Sequence, residues 1–264
     1  MTVKKRLLKI GAALLGSAIV VFLLLMASSV LGDPVSKYIA QKEIERYVEE
    51  TYPEQQLSVS EVRYNFKLGG YYAEAASDTS IDTRFSVYWR FGEGCSDGYA
   101  AVTEGANTFS RMEAEYTKRL YACIQDIPQA NELSRAYLTE NEWDKLPPIP
   151  LDTPFSLDLP LEYTAFLQFY EEEDEITLAR AAQLTEQAYE RINRKGYVFS
   201  SYSISLQLEH SRAGDCYIMV DGVTAQQIES GNLENLLEEA WDSPEHNKNG
   251  VWVQIYYPDE NESR

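Results

Sequence analysis

The run from Ile10 to Gly32 constrains this chain more than any other feature, because 23 consecutive residues carry no charged side chain. A helix needs about 20 apolar residues to cross the hydrocarbon core of a bilayer. Four basic residues precede the run, and Asp33, the first acidic residue, follows it directly. By the positive-inside rule we expect a cytoplasmic basic tail at residues 1–9, a transmembrane helix at residues 10–32, and the remainder outside the cell.

A cleaved signal peptide is the alternative for this run. Such peptides have an apolar region of about 7 to 15 residues and an A-x-A-like cleavage site. This run is longer, and Ala27-Ser28-Ser29 is a poor version of that site. The sequence therefore favours an uncleaved anchor, a single-pass cell-membrane protein that contacts the membrane through residues 10–32.

Composition limits the possible partners. The chain has 42 acidic and 23 basic residues, a formal net charge of −19, and this charge repels nucleic acid. With 44% hydrophobic residues and 19 tyrosines, the chain is too apolar for the disordered class. We expect folded domains and no nucleic-acid partner.

Residues 33–128 are predicted to form a first α+β domain. Asp33 and Pro34 begin a helix as N-cap and first-turn proline. Alternating apolar residues then predict three antiparallel strands, the first with a bulge, and helical spacing continues from Tyr99 to Ile127. The order helix, three strands, long helix indicates helices that cover one sheet face, with the sheet ending at the glycine-rich stretch 92–98.

A proline-rich linker, residues 129–160, is predicted to precede a second α+β domain at residues 161–264. Six of the ten prolines lie between Ile127 and Leu161, with a short helix expected near residues 131–137. The following periodicities give the order βαββαβ, which predicts the ferredoxin-like split motif. Thr224 and Gln227 form a capping box there.

Four runs carry a family resemblance: YNFKLGGYYA (64–73), TSIDTRF (79–85), DGYAAV (97–102) and NTFSRMEAEY (107–116). Together they resemble the YfjL-like family of membrane-anchored proteins from Gram-positive bacteria, whose function is not established. The likeness covers the anchor and most of the first domain. It implies a location and an architecture, and it supplies no catalytic residues.

Charged pairs inside these runs are candidates for a groove or an interface. Asp82 with Arg84, and Arg111 with Glu115, are of opposite charge and close in sequence, and structural ion pairs would give the same pattern. Tyrosines suit interfaces because they combine apolar area with a hydroxyl group. The predicted groove residues are Asp82, Arg84, Arg111, Glu115, Tyr71 and Tyr72.

Catalytic and metal signatures are not recognisable in the sequence. It contains no G-x-S-x-G, no S-x-x-K, no H-E-x-x-H and no complete phosphate-binding glycine loop. The acidic run 171–175 suits the N-terminus of the following helix better than a calcium site, and His210 and His246 are expected in loops. We predict no catalytic residue, no cofactor and no metal.

Three cysteines allow at most one disulfide. Cys123 lies on the apolar face of a predicted helix and is expected to be a buried thiol. A bridge between Cys95 and Cys216 is the less favoured alternative, because sequence spacing does not establish its geometry.

The sequence therefore favours a non-enzymatic, membrane-anchored protein whose α+β domains bind an unknown protein or envelope ligand. An envelope hydrolase or enzyme regulator is the alternative, with a groove lined by carboxylates such as Asp82, Asp97 and Glu115. A structural spacer without a cleft is the third possibility. The ligand, the biological process and the oligomeric state are not encoded in any recognisable motif.

Overall fold

The computed structural model of the chain describes residues 3–140, 142, 145–172, 176–208 and 216–256. It divides into two compact units, Met1–Asn107 and Thr108–Arg264. The boundary lies earlier than the end of the first predicted domain at residue 128. The reason is that the apolar face of the long helix, from Phe109 to Ile124, belongs to the core of the second unit.

Helix α1 comprises Val3–Leu31. Within the described residues, no helix combines the length and the apolar character that a bilayer crossing requires. The predicted transmembrane helix at residues 10–32 is therefore wrong, and so is the single-pass placement with a cytoplasmic N-terminus.

Helix α2, Pro34–Thr51, begins as predicted. The side chain of Asp33 accepts a hydrogen bond of 2.8 Å from the backbone N–H of Ser36, and Pro34 occupies the first turn. This cap satisfies one of the backbone donors that every helix start leaves without a partner. The stripe Ala40, Ile44 and Val48 is buried and faces the first sheet.

The first sheet has five strands, all paired antiparallel: β1 Leu57–Val59, β2 Arg63–Asn65, β3 Gly70–Ser77, β4 Arg84–Arg90 and β5 Gly94–Asp97. β1 and β2 pair with opposite ends of β3, so the predicted bulge is an interruption between two short strands. The stretch 92–98 was expected to end the sheet, but β5 pairs with β4 there. A tight turn at Gly92 and Gly94, both with positive φ, returns the chain to the sheet edge.

The predicted long helix is two helices, α3 Ala100–Thr103 and α4 Ala106–Ile124. Gly105 separates them with φ of 79°, a left-handed conformation that ends a helix. In the second unit, α4 is followed by strand β6, Arg135–Leu138. This strand lies where a short helix was expected near residues 131–137. Its pairing with the next strand along the chain overrides the weak local helical pattern.

The remaining elements of the second unit are β7 Tyr163–Glu171, α5 Leu178–Arg194, β8 Ser201–Leu208, β9 Tyr217–Val223, α6 Ala225–Glu229, α7 Leu233–Trp241, β10 Asn247–Lys248 and β11 Val251–Tyr256. The second sheet has the order β10-β11-β9-β8-β7-β6. Thr224 and Gln227 form the predicted capping box at α6. The α+β class is thus confirmed for both units.

The ferredoxin-like topology is wrong. From β7 to β11 the element order is βαββααββ, which differs from the predicted βαββαβ by a second helix and by the short strand β10. In the split motif another strand separates the two parallel strands that flank the first helix. Here β7 and β8 are direct neighbours and pair in parallel, with Leu167 opposite Ile204. Element order along the chain does not specify which strands become neighbours in a sheet.

In the second sheet, the backbone of Gly222 lies very close to that of Gly250, and this contact predicts the effect of a substitution on stability. Gly222 in β9 has φ of 81°, and a Cβ atom there would lie 2.3 Å from the backbone oxygen of Gly250. At Gly196, with φ of 76°, a Cβ atom would meet nothing within 4 Å, so this glycine is a matched control for the backbone conformation alone.

We expect Gly222→Ala to lower the free energy of unfolding by about 2 kcal/mol more than Gly196→Ala. Both substitutions carry the cost of a left-handed alanine, about 1–2 kcal/mol, and only the first adds a collision with a backbone oxygen. Urea titrations followed by circular dichroism measure the difference. Equal costs for the two variants would contradict the close approach of β9 to Gly250.

Candidate functional site

Asp82 and Arg84, two of the predicted groove residues, lie in the first unit on either side of a tight backbone turn. Asp82 is buried, with 1% of its surface exposed, whereas Arg84 is exposed. The side-chain amide of Asn107 donates hydrogen bonds to both their backbone oxygens, at 2.8 Å for Asp82 and 2.6 Å for Arg84. Asn107 therefore holds this turn in place through its backbone.

Tyr71 and Tyr72 are neighbours on β3 and point to opposite faces of the first sheet. Tyr71 is buried, and its hydroxyl accepts from the backbone N–H of Asp33 at 2.8 Å and donates to the oxygen of the same residue at 3.1 Å. Tyr72 lies on the other face, where its ring is 6.1 Å from that of Tyr88. The two tyrosines therefore do not line one surface.

Arg111 and Glu115 lie on α4 in the second unit. Nη2 of Arg111 donates to the backbone oxygen of Thr153 at 2.9 Å. Glu115 forms an ion pair of 2.8 Å with Arg119, one turn further along the helix. The six predicted residues are thus divided between the two units, and a groove formed by all of them stays a prediction.

Asp97 was one of the carboxylates expected to line the groove of an envelope hydrolase or enzyme regulator. In the structure it is the centre of a hydrogen-bonded cluster in the first unit. Its Oδ2 accepts from the hydroxyls of Tyr47 at 2.5 Å and Tyr52 at 2.8 Å, and its Oδ1 accepts from the backbone N–H of Tyr99 at 3.0 Å. Burial raises the pKa of Asp97, but these hydrogen bonds outweigh burial and hold the pKa below its ordinary value. The hydrogen bond to Asp97, together with burial, raises the pKa of Tyr47 to about 12.

This cluster is suited to holding α2 against the first sheet. Tyr47 lies on α2 and Asp97 on β5, so the three hydrogen bonds that the Asp97 carboxylate accepts join these two elements and stabilise its ionised form. The two clefts described below are lined by residues other than Asp82, Asp97 and Glu115. The carboxylate-lined groove of the hydrolase alternative gains no support from either cleft.

In the part of the chain that the structure describes, the His, Cys, Asp and Glu side chains that could bind a metal ion do not cluster. Across those residues no group of three or more His, Cys, Asp or Glu side chains is placed to hold a metal ion. Glu171 is buried and forms a 2.6 Å ion pair with Arg180, and Nδ1 of His246 lies 2.5 Å from the backbone oxygen of Trp241. His210 and residues 173–175 of the acidic run lie outside the described residues.

All three cysteines belong to the described residues and are free thiols. The Cys95 thiol lies 3.7 Å from the backbone oxygen of Glu43, and burial raises its pKa. Cys123 is half-buried, and its thiol donates to the backbone oxygen of Arg119 at 3.2 Å. A raised pKa keeps a thiol protonated and weakly nucleophilic.

The first unit contains a cleft of about 260 Å³ at the end of its sheet. An exposed ion pair of 2.7 Å between Arg90 and Glu93 lies beside it. The walls combine polar and aromatic side chains with backbone: Asn65, Leu68, Gly70, Tyr71, Tyr88, Trp89, Arg90, Glu93, Gly94, Cys95 and Ser96. The volume is below the usual range of about 300–1,000 Å³ for ligand pockets.

The second unit contains a larger pocket of about 370 Å³, which we call the aromatic pocket. It is lined by Tyr116, Ser156, Leu157, Leu159, Leu161, Glu162, Tyr163, Gly196, Val198, Phe199 and Ser200. The ring of Tyr116 stacks on that of Phe199 at 4.5 Å between centroids and meets the ring of Tyr163 edge-on at 4.8 Å. Glu162 is the one charged residue in this lining.

Hydrogen bonding distinguishes the two tyrosines of the aromatic pocket. The Tyr116 hydroxyl donates to the backbone oxygen of Val198 at 2.7 Å and accepts from its N–H at 3.0 Å. The Tyr163 hydroxyl is buried and has no hydrogen-bond partner in the described structure. Native proteins pair nearly all buried polar groups, so an unpaired one requires a reason.

Sequence reasoning missed this pocket. In the sequence, Tyr116 stood out only as part of the helical spacing from Tyr99 to Ile127 and of the run at residues 107–116, and Tyr163 only as part of the second predicted domain. The prolines of the segment before Tyr163 were the available signal, because they mark irregular chain that packs against regular elements. No local pattern indicates that Tyr116 bonds to a residue 82 positions away.

The described chain is an α+β protein. Each of its two units has one sheet and one hydrophobic core, to which helices contribute. Two family domains match the chain in the same order: the YfjL-like, N-terminal domain matches residues 4–92, and the YfjL-like C-terminal domain matches residues 115–238. The chain is therefore similar to both YfjL-like domains over these two ranges.

A relative supports the same assignment. Over 216 residues the chain is 24% identical to the uncharacterized protein YfjL of Bacillus subtilis (strain 168), a match that covers 78% of this chain and 88% of that protein. No solved structure matches the chain at a significant level. The YfjL-like resemblance is confirmed and extends into the second unit, while membrane anchoring is not shown and no catalytic family is indicated.

The Asp97 cluster predicts a pH dependence of stability. The pKa of Asp97 is lower in the folded protein than in the unfolded chain. The carboxylate therefore contributes stability above the unfolded value, near 3.9, and loses this contribution as the pH falls through the folded pKa. We expect Asp97→Asn to cost about 1–3 kcal/mol at pH 7, the range for hydrogen bonds to a charged group.

Urea unfolding of the native protein and of Asp97→Asn, measured between pH 7 and pH 3, tests this expectation. The difference in free energy should shrink as the pH falls below about 4. Asp78→Asn is the matched control, because Asp78 is exposed in the same unit and its loss should cost less than about 0.5 kcal/mol at any pH. A pH-independent cost for Asp97→Asn would refute a charge-based contribution.

Proposed function

We propose that this protein is a binding module without chemistry of its own, and that its second unit holds a small ligand in the aromatic pocket. One observation carries the proposal: a pocket of about 370 Å³ is lined by three packed aromatic rings and by three leucine side chains. Pockets that are mostly apolar, with a few placed polar groups, are the usual form of small-molecule sites.

The chemistry of the surrounding residues supports binding over catalysis. The pocket lining contains no cysteine, histidine or lysine, and its one carboxylate belongs to the exposed Glu162. Catalysis of acyl or glycosyl transfer needs a nucleophile with a base, or two carboxylates that face a common space. The net charge of −19 also disfavours nucleic acid as a partner.

The walls of the aromatic pocket are held in place before any ligand arrives. The hydroxyl of Tyr116 fixes the backbone of Val198 through two hydrogen bonds. The guanidinium carbon of Arg119 lies 4.4 Å from the ring centre of Phe155, and the Phe155 ring in turn packs on Tyr116, with 5.4 Å between the ring centres. A pocket with preformed walls binds with a smaller loss of conformational entropy.

Blocking the pocket tests this proposal. Val198 is 75% exposed and lines the pocket, so a tryptophan there is expected to fill the opening without entering the core. We predict that toluene, added to the full-length protein with labelled methyl groups, shifts the resonances of Leu159 and Leu161. Val198→Trp should reduce those shifts at least tenfold.

Leu133→Trp is the matched control, since Leu133 is 59% exposed in the same unit and lies outside the pocket lining. It should leave the toluene shifts unchanged. Absence of any shift at the pocket methyl groups of the native protein, at toluene concentrations up to its solubility, would refute the proposed function.

A further inference from the structure

The second sheet has two faces, and the described helices of its unit pack on one of them. Residues of α4, α5, α6 and α7 form one hydrophobic core with sheet residues such as Ile204, Ile218 and Val253. Successive side chains of a strand point to opposite faces, so the residues between these face away from the core. We call that side the outer face. It consists of every second residue of 135–137, 164–170, 201–207, 217–221 and 252–256, and none of these residues belongs to the core.

Contacts between strands confirm that these side chains share one surface. The hydroxyl of Tyr137 on β6 lies 3.4 Å from Oγ of Ser203 on β8. On β9 and β11, the rings of Tyr217 and Tyr256 stack with 5.3 Å between their centres. The outer face therefore continues from β6 to β11, a width of about 19 Å at the usual spacing between strands.

The charge of the outer face differs from that of the whole chain. Among its side chains only Arg135 and Asp221 are charged, one of each sign, whereas the chain has a formal net charge of −19. The other side chains are aromatic rings, amides and hydroxyl groups, together with Met219. A surface of this composition is complementary to a neutral molecule with many hydroxyl groups.

Two polar groups of the outer face are held in position by buried serines. Oγ of Ser203 donates a hydrogen bond to Oδ1 of Asp221, and Nε2 of Gln207 donates to Oγ of Ser205 at 3.0 Å. The two serines are 4% and 2% exposed, whereas Asp221 is exposed and Gln207 is half-buried. A carboxylate has more acceptor sites than this one bond uses, so Asp221 is oriented for a ligand hydroxyl before the ligand binds.

Trp252 and Tyr256 are the most exposed aromatic residues of the outer face, at 38% and 40%. They lie four residues apart on β11, which separates them by about 13 Å, and the exposed Gln254 lies between them. A sugar ring has one face of C–H groups that stacks on an aromatic ring, while its hydroxyl groups remain at the edge. One sugar ring does not reach both aromatic rings, so this spacing selects a chain of sugars.

The distribution of polar residues favours a sugar over a protein partner. Protein–protein interfaces have an apolar centre and a polar rim. On the outer face the arrangement is the reverse, because the central strand β8 contributes only serine and glutamine, at positions 201, 203, 205 and 207. The most exposed aromatic rings lie on β11, towards one side of the sheet.

We propose that the outer face binds a neutral, extended oligosaccharide, with sugar rings stacked on Trp252 and Tyr256 and with sugar hydroxyls bonded to Asp221 and Gln254. The aromatic pocket lies on the other side of the same sheet, since its residues Tyr116, Tyr163 and Phe199 belong to the core. The inference therefore goes beyond the proposed function and does not depend on it.

Four sugars test the proposal on the full-length protein. Cellotetraose and N-acetylchitotetraose are neutral, extended chains, and glucose is a single ring. The tetra-uronate made by oxidising C6 of every cellotetraose unit adds negative charge to the same chain. The labelled methyl group of Met219, which lies on the outer face between Ser205 and Gln254, reports binding. The methyl group of Met112, buried in the core, is the internal reference.

We expect at least one of the two neutral tetrasaccharides to shift the Met219 resonance and to bind at least tenfold more tightly than glucose and the tetra-uronate. Trp252→Ala should weaken this binding at least tenfold. Gln254→Ala should also weaken it, and because Gln254 is exposed, this variant tests the site even if loss of the tryptophan unfolds the sheet. Phe91→Ala is the matched control, since Phe91 is an aromatic residue that is 85% exposed in the first unit, and it should leave binding unchanged.

The proposal is wrong if neither neutral tetrasaccharide shifts the Met219 methyl group at millimolar concentration. It is also wrong if a folded Trp252→Ala or Gln254→Ala variant binds as tightly as the native protein, or if the tetra-uronate binds as tightly as cellotetraose. A native dimer that Trp252→Ala dissociates, measured by sedimentation, would make the outer face an interface between two copies of the chain. Toluene shifts at Leu159 and Leu161, measured on the same samples, report on the aromatic pocket separately.

Discussion

The packing of α4 against the second sheet is the constraint on which the second unit depends. Tyr116 makes three kinds of contact here: its ring stacks on Phe199, it meets the ring of Tyr163 at nearly a right angle, and its hydroxyl bonds to both backbone groups of Val198. The residue is 1% exposed, so each of these contacts is shielded from water. Because backbone groups buried without partners are costly, one side chain here fixes both the helix position and the loop that borders the aromatic pocket.

The sequence predicted local structure well and long-range arrangement poorly. The N-cap at Asp33, the capping box at Thr224 and the α+β class depend on residues a few positions apart, and the structure has all three. Strand neighbours depend on contacts between distant segments, so the parallel pairing of β7 with β8 was not recognised. The apolar run from Ile10 led to a transmembrane helix through hydropathy alone, and the described helices do not bear this out.

The candidate site residues were also predicted from their proximity in sequence, and most of their contacts are with other residues. Asp82, Arg84, Arg111 and Glu115 were selected because opposite charges lie close in sequence, but Glu115 pairs with Arg119, and Asn107 holds the backbone of the first two. The aromatic pocket is assembled from α4, the segment before β7 and the loop before β8. A sequence contains no local signal for contact between three segments that lie so far apart along the chain.

The segment between β6 and β7 has an entropic consequence for the aromatic pocket. It contains Pro147, Pro148, Pro150, Pro154 and Pro160, and it contributes Ser156, Leu157, Leu159 and Leu161 to the lining. Each proline ring locks one backbone dihedral, so this segment has fewer conformations in the unfolded chain than an ordinary loop of equal length. Folding therefore orders this pocket wall at a smaller cost in conformational entropy than an ordinary loop of the same length would require.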